Sequence, residues 1–254
     1  MHTNRPSAFL NRTPLSGTAR EAFIARIRKN LDHPAGRSPE PGAPPMLDPA
    51  ILRQVAPGPA GAPGNVDRWQ EKMNGNKATV HRLPGADQAG VLAALDACLA
   101  RHTVTRALLN LQQLGRRAGE SSGYPIAEHL HSRNIQTTEW PSESAFADSY
   151  HAEVAITDAP AGLADTGALL VWSHQNFGRS STLVTPIHIT LLPASRILPD
   201  LVDGLEFVQQ RNPGLLPSNV VVINGPSKTG DIEMKLVVGV HGPKFMYVLL
   251  LDGI

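Results

Sequence analysis

Apolar residues in this chain fall in short bursts, and the spacing within each burst separates strands from helices. Thr79–Leu83, Ala107–Leu111, His151–Asp158, Ala168–Trp172, Ile187–Leu192, Val220–Ile223 and Phe245–Leu251 are short runs, several of them next to Gly, Pro, Asn, Asp or Ser. Runs of that length and punctuation predict strands, several of them buried on both faces. Gln136–Trp140 is a weaker run of the same kind. Two segments keep a helical period instead. Val66–Met73 carries Trp69, and Asp87–Arg101 carries Val91, Leu92, Leu95, Cys98 and Leu99 on one stripe. Pro199 opens a further helix at a favourable first position, with Leu201, Leu205 and Val208 on one face. Strands alternating with helices predict an α/β fold, a parallel-rich sheet flanked by helices. The Ser- and Asn-containing stretch Ser173–Ser181 and the polar segment around His129 and His131 read as loops.

The N-terminal quarter has a different pattern. Thr18-Ala19-Arg20-Glu21 is a capping box, and Phe23, Ile24, Ile27 and Leu31 form an apolar stripe behind it. A helix over Ala19–Leu31 is too short to persist alone in water, so it is expected to dock on protein. From Pro34 to Pro63 lie nine of the 22 prolines, the composition of an extended linker. The boundary is expected near Gly64. Residues 1–64 then form an arm and residues 65–254 the main α/β domain.

Composition narrows the classes. The 254 residues are 41% hydrophobic with a net charge of +1, and charges of both signs are interspersed. No basic block predicts a nucleic-acid or membrane-surface partner. No apolar run reaches membrane-spanning length, and no signal-peptide core stands at the N-terminus, so a cytoplasmic location is expected. One cysteine excludes an internal disulfide and a cysteine-rich iron–sulfur or zinc site within these residues. Cys98, on its helical stripe, reads as a buried structural thiol.

Candidate chemistry concentrates between Val220 and Pro243, where glycine-bearing turns follow or precede apolar strands. In Gly225-Pro226-Ser227-Lys228-Thr229-Gly230-Asp231, the hydroxyls and backbone amides suit a small anion, with Lys228 as its point charge. The same residues equally describe a well-capped turn, with Thr229 or Asp231 as the cap. The spacing is not that of a P-loop. Asp165, Thr166 and Gly167 put a carboxylate and a hydroxyl at a strand mouth, fit for a general base, a polar contact or a plain turn. His241, between glycines, suits proton transfer or a structural hydrogen bond. His188 reads as buried at the start of a strand. His129 and His131 lack a third ligand at convincing spacing, so no metal site is expected. Asp158, Ser173 and His174 have the composition of a hydrolase triad, but no G-x-S-x-G elbow accompanies them.

Three blocks add a resemblance. Gly225–Glu233 resembles the G-P-S-R-T-A-D-I-E signature of the LUD domain family, that of lactate-utilization protein C. Gly239–Pro243 matches its G-V-H-G-P signature, and Ala164-Asp165-Thr166-Gly167 its A-E-T-G signature. Lys228, Gly230 and Asp165 depart from the usual Arg, Ala and Glu. The resemblance implies a fold like that of sugar-phosphate isomerases and CoA transferases. It also implies a component of a system oxidising L-lactate to pyruvate, with iron–sulfur clusters on partner subunits and no cofactor in this chain. Carried onto these positions, Asp165 and His241 would be catalytic. Thr166, Gly167, Gly225, Ser227, Lys228, Thr229 and Asp231 would hold a small anionic ligand. A stand-alone enzyme on a phosphorylated or acyl substrate, and a small-ligand sensor, are the other readings. A second copy of the chain is a further candidate partner, through the N-terminal helix.

Overall fold

The computed structural model describes residues 58–254 apart from 86, 112–113, 115–122, 143, 175–176, 215–216, 230–236 and 239–240, together with Glu21, Ala22 and Ala25. Those three are helical and exposed. The rest of the expected N-terminal helix, and the linker up to residue 57, lie outside the described residues. The chain divides into two units, Met1–Asp48 and Pro49–Ile254, and the fold that follows is that of the second.

In chain order its elements begin with helix α1 (Pro63–Gly75), β1 (Thr79–Leu83), α2 (Gln88–Leu99), β2 (Arg106–Asn110), α3 (Ile126–Ser132) and β3 (Gln136–Glu139). Next come α4 (Ala145–Asp148), β4 (Val154–Asp158), β5 (Ala161–Leu163), β6 (Ala168–Trp172), α5 (Ser180–Leu183) and β7 (Ile187–Pro193). A 3-10 turn (Ala194–Arg196) leads into β8 (Ile197–Leu198) and α6 (Leu201–Arg211). The chain then forms β9 (Val220–Ile223), β10 (Lys228–Thr229), β11 (Val237–Val238) and β12 (Phe245–Leu251).

Six strands form one sheet in the order β1-β12-β7-β4-β2-β3, and each neighbouring pair is parallel. Parallel strands need helical crossovers, which cover both faces. On one face α2 buries Val91, Leu95 and Cys98 against Ile156, Ile189 and Leu249. On the other, α1 sets Trp69 and Met73 against Leu192, Val248 and Leu250. Each residue of β4 and β7 is buried, the polar Thr157, Asp158, His188 and Thr190 included. Asp87 caps α2 by accepting from the Gly90 amide at 2.9 Å. A second, smaller sheet runs β8-β5-β6-β9, and β10 and β11 make an antiparallel pair.

Several elements differ from the sequence reading. β9, expected to be a buried strand, is an edge strand of the smaller sheet, and Val222 is 44% exposed. The segment holding His129 and His131 is helix rather than loop. Its only buried apolar residues, Ile126 and Leu130, are too few to show a period. Asp200, accepting from the amides of Val202 and Asp203, caps α6, so Pro199 precedes that helix. Gly204 and Val208 face the core there, whereas Leu201 and Leu205 are exposed.

This topology fixes where a ligand site belongs. After β2 the chain goes outward to β3, then returns to lay β4 on β2's other flank. The carboxyl ends of β2 and β4 are therefore the switch point, where open α/β sheets leave a crevice. No described helix is long and apolar enough to cross a membrane.

Candidate functional site

At the switch point the side chains surround a space. Asp158 ends β4 only 5% exposed, and its Oδ2 accepts from the Leu114 amide at 3.0 Å. Among the described residues, Leu114, Asp158 and His174 line a cavity of about 50 Å³ together with apolar groups that include Pro160, Trp172 and Phe177. His174 and Phe177 exchange backbone hydrogen bonds of 3.3 and 3.0 Å, which closes their turn and holds the rings 6.0 Å apart. Burial pushes the His174 imidazole below its ordinary pKa, against the opposing pull of the Asp158 charge. The ring is therefore neutral near pH 7.

Arg196, on the turn that leaves β7, has its pKa lowered by burial and by Arg211, while Asp158 raises it. Arg211 stacks over Phe207 at 5.0 Å, and Phe207 meets Trp172 edge-on at 6.1 Å. Beside the crevice lies a buried polar strip. Asn110 Nδ2 donates to Ser181 Oγ at 2.8 Å, and Ser181 Oγ donates to the Gly178 carbonyl at 2.7 Å. Within the sheet, the Thr157 hydroxyl donates to Thr190 Oγ1 at 3.0 Å and lies 2.9 Å from His188 Nε2. A hydroxyl has one proton, so His188 Nε2 carries the hydrogen of that contact. His188 Nδ1 is buried with no hydrogen-bond partner, and burial pushes the ring's pKa down to about 4.

The residues singled out in the sequence gather at the sheet's other end. Asp165 and Thr166 lie in the turn between β5 and β6, where Thr166 Oγ1 donates to Asp165 Oδ1 at 3.1 Å. Gly167 takes φ +70°, and a Cβ there would lie 2.7 Å from the Met73 amide nitrogen of α1. Asn76, just past α1, donates to the Thr166 carbonyl at 3.4 Å and to Asn224 Oδ1. Gly225 takes φ +83°, its would-be Cβ 2.6 Å from the Asn76 carbonyl oxygen. The Ser227 amide donates to the Pro243 carbonyl at 2.9 Å, and Gly242 packs on the Ser227 side chain. Lys244 and Phe245 donate to Pro186 O, closing the turn onto the start of β7.

Asp165–Gly167 thus meets Gly225 through Asn76, and Ser227 meets Gly242-Pro243, along the amino ends of β1, β12 and β7. Lys228 and His241 are exposed. No hydrogen bond among the described residues joins either of them to Asp165. The Thr229 backbone pairs with β11, and Asp231 lies outside the described residues.

A family model described as the LUD domain matches residues 66–251, well over half of the chain. The chain belongs to the LUD domain family. Lactate utilization protein C of Bacillus subtilis is 33% identical over 144 residues, covering 50% of this chain and 60% of that protein. Lactate utilization protein C of Shouchella clausii is 38% identical over 103 residues, covering 40% and 45%. The chain spans about half the length of the curated relatives it matches. A crystal structure of a DUF162 family protein from Deinococcus radiodurans superposes with a TM-score of 0.49 at 15% identity, covering 74% of this chain and 96% of that one.

In this LUD domain Asp158 and His174 share the crevice, but Ser173 Oγ is engaged by Ser218 Oγ at 3.1 Å. The signal that marks the crevice in the sequence is a carboxylate closing an apolar run, Ala155-Ile156-Thr157-Asp158. His129 pairs with Asp96 at 2.9 Å and His131 with Thr137 at 2.7 Å, both as structural contacts. Among the described residues no group of three or more His, Cys, Asp or Glu side chains is placed to hold a metal ion.

Proposed function

We propose that this LUD-domain chain is a component of a cytoplasmic L-lactate utilization system, acting beside iron–sulfur partner proteins in the oxidation of L-lactate to pyruvate. The observation that carries this reading is the LUD match through residues 66–251, joined to relatives that bear the name lactate utilization protein C. The oxidation releases two electrons and two protons. Cys98, the one cysteine of the chain, is fully buried and its thiol is pushed up to about 12, so it does not offer a reactive thiolate at neutral pH. In the proposal, clusters on the partners take the electrons, and this chain is an accessory subunit.

Deleting the gene should abolish growth on L-lactate as sole carbon source while leaving growth on pyruvate intact. Restoring the full chain should restore growth. Unchanged growth of the deletion strain on L-lactate would overturn the role. The crevice favours a second reading, a chain that binds a small molecule itself, as an enzyme or a sensor. Lactate-dependent turnover by the purified chain distinguishes an enzyme from a subunit that works only with its partners.

A further inference from the structure

We propose that the open edge of β9, beside the apolar groove it forms with α6, pairs antiparallel with β9 of a second copy of the chain.

The open edge follows from the alternation of backbone hydrogen bonds. β9 pairs with β6 on one side, and among the described residues no strand pairs with it on the other. The Ser173 amide donates to the Asn219 carbonyl at 3.0 Å. Asn219 and every second residue after it, Val221 and Ile223, therefore turn their backbone groups toward β6. Those of Val220 and Val222 point outward. Side chains alternate between the two faces of the strand. Val221 and Ile223 pack on the core that holds Trp69 and Met73, while Val220 packs on the side of Trp172 and Val208. Val222 shares the Val220 face and is exposed. Leu205, Val208, Pro217 and Val220 line a groove of about 530 Å³ there, and exposed Leu201 extends the apolar surface along α6.

The chemistry of the edge selects its occupant. Residues 218–225 carry no charge and no proline, the usual devices that keep an edge strand from pairing. A twofold axis normal to the sheet at Val221 sets Val220 opposite Val222 of the second copy. Each such pair exchanges both of its outward hydrogen bonds, and valine meets valine on the groove side. The same axis reverses α6. The end that carries Asp203 and Glu206 in one copy then runs beside the end that carries Arg211 in the other, so unlike charges stand opposite. A foreign strand would need to match both the apolar edge and this charge order, whereas a second copy matches them by symmetry. β9 is only four residues long and falls short of the roughly 800 Å² per partner of a standard interface. Association is therefore expected to be reversible and micromolar.

Sedimentation velocity of the purified full chain, from low to high micromolar concentration, should show monomer passing into dimer. Val222→Lys, checked for native thermal unfolding, puts a charge on an exposed position of the edge and should weaken association about tenfold or more. Hydrogen exchange on the unsubstituted chain supplies a readout that needs no variant. Residues 218–224 should exchange more slowly at high concentration than at low, because the Val220 and Val222 amides become bonded. A chain that stays monomeric throughout would overturn the proposal. So would a dimer in which exchange over residues 218–224 ignores concentration, or a folded Val222→Lys form that associates unchanged. Either of these last two results would move the contact away from β9.

Discussion

At the amino ends of β1, β12 and β7 the chain closes on itself through backbone, whereas at the carboxyl ends of β2 and β4 it gathers side chains around a space. The first region uses Gly167 and Gly225 in left-handed conformations, each pressed against the backbone of α1 or the residue following it. Its hydrogen bonds link one turn to the next, through Asn76 and through the Ser227 amide. The second region gathers Asp158, His174 and Trp172 around a cavity. The described parts of the signature-like turns contact one another, and the cavity lined by Asp158 and His174 lies at the opposite end of the sheet.

The comparison breaks first at the glycines. Gly167→Ala or Gly225→Ala adds a Cβ to a left-handed residue and sets it under 3 Å from backbone atoms. The expected loss is about 2–5 kcal/mol in denaturant unfolding, adding left-handed strain to overpacking. A loss below about 1 kcal/mol would mean that these turns pack loosely.

A second effect separates the sheet interior from both ends. Unfolded His188 binds a proton near its ordinary value of 6.5, but in the fold its pKa is lowered to about 4. Above pH 6.5 both states are neutral there and the ring adds no pH dependence. As pH falls from 6.5 toward 4 the unfolded state takes up the proton first, so stability is lost across that window. At roughly 1.4 kcal/mol per pKa unit the loss is about 3 kcal/mol. His188→Asn should flatten that part of the stability-versus-pH curve. An equal slope in both proteins would assign the acid sensitivity to other groups.

A smaller change is expected at Asn76, which joins the Asp165–Gly167 and Asn224–Gly225 turns from a partly exposed position. Asn76→Ala should cost about 1 kcal/mol in denaturant unfolding, the net worth of such contacts. An unchanged stability would show that the two turns stand without this link.

The sheet was largely legible because β4, β7 and β12 are mostly apolar runs and nearly all of their residues are buried. β9 has the same apolar pattern, yet it pairs only with β6 and exposes Val222, because run composition does not encode a neighbour. α5 hides in a serine-rich stretch, its Ser180, Ser181 and Thr182 buried against a polar strip that includes Asn110. The three family-like blocks were legible as motifs. Their position was not, since strand order alone sends their turns to the amino ends. Asp158 and His174 were visible as residue types but had no motif. What joins them is the return of β4 beside β2 and the closure of the 174–177 turn.

Amide chemical-shift mapping of the full chain carrying Asn76→Ala tests most directly whether the two ends of the sheet are separate. The account predicts the largest shifts at Thr166, Gly167 and Gly225, with Leu114, Asp158, Trp172 and His174 unmoved. Shifts of equal size at Asp158 and His174 would contradict it and tie the cavity to the amino-end turns.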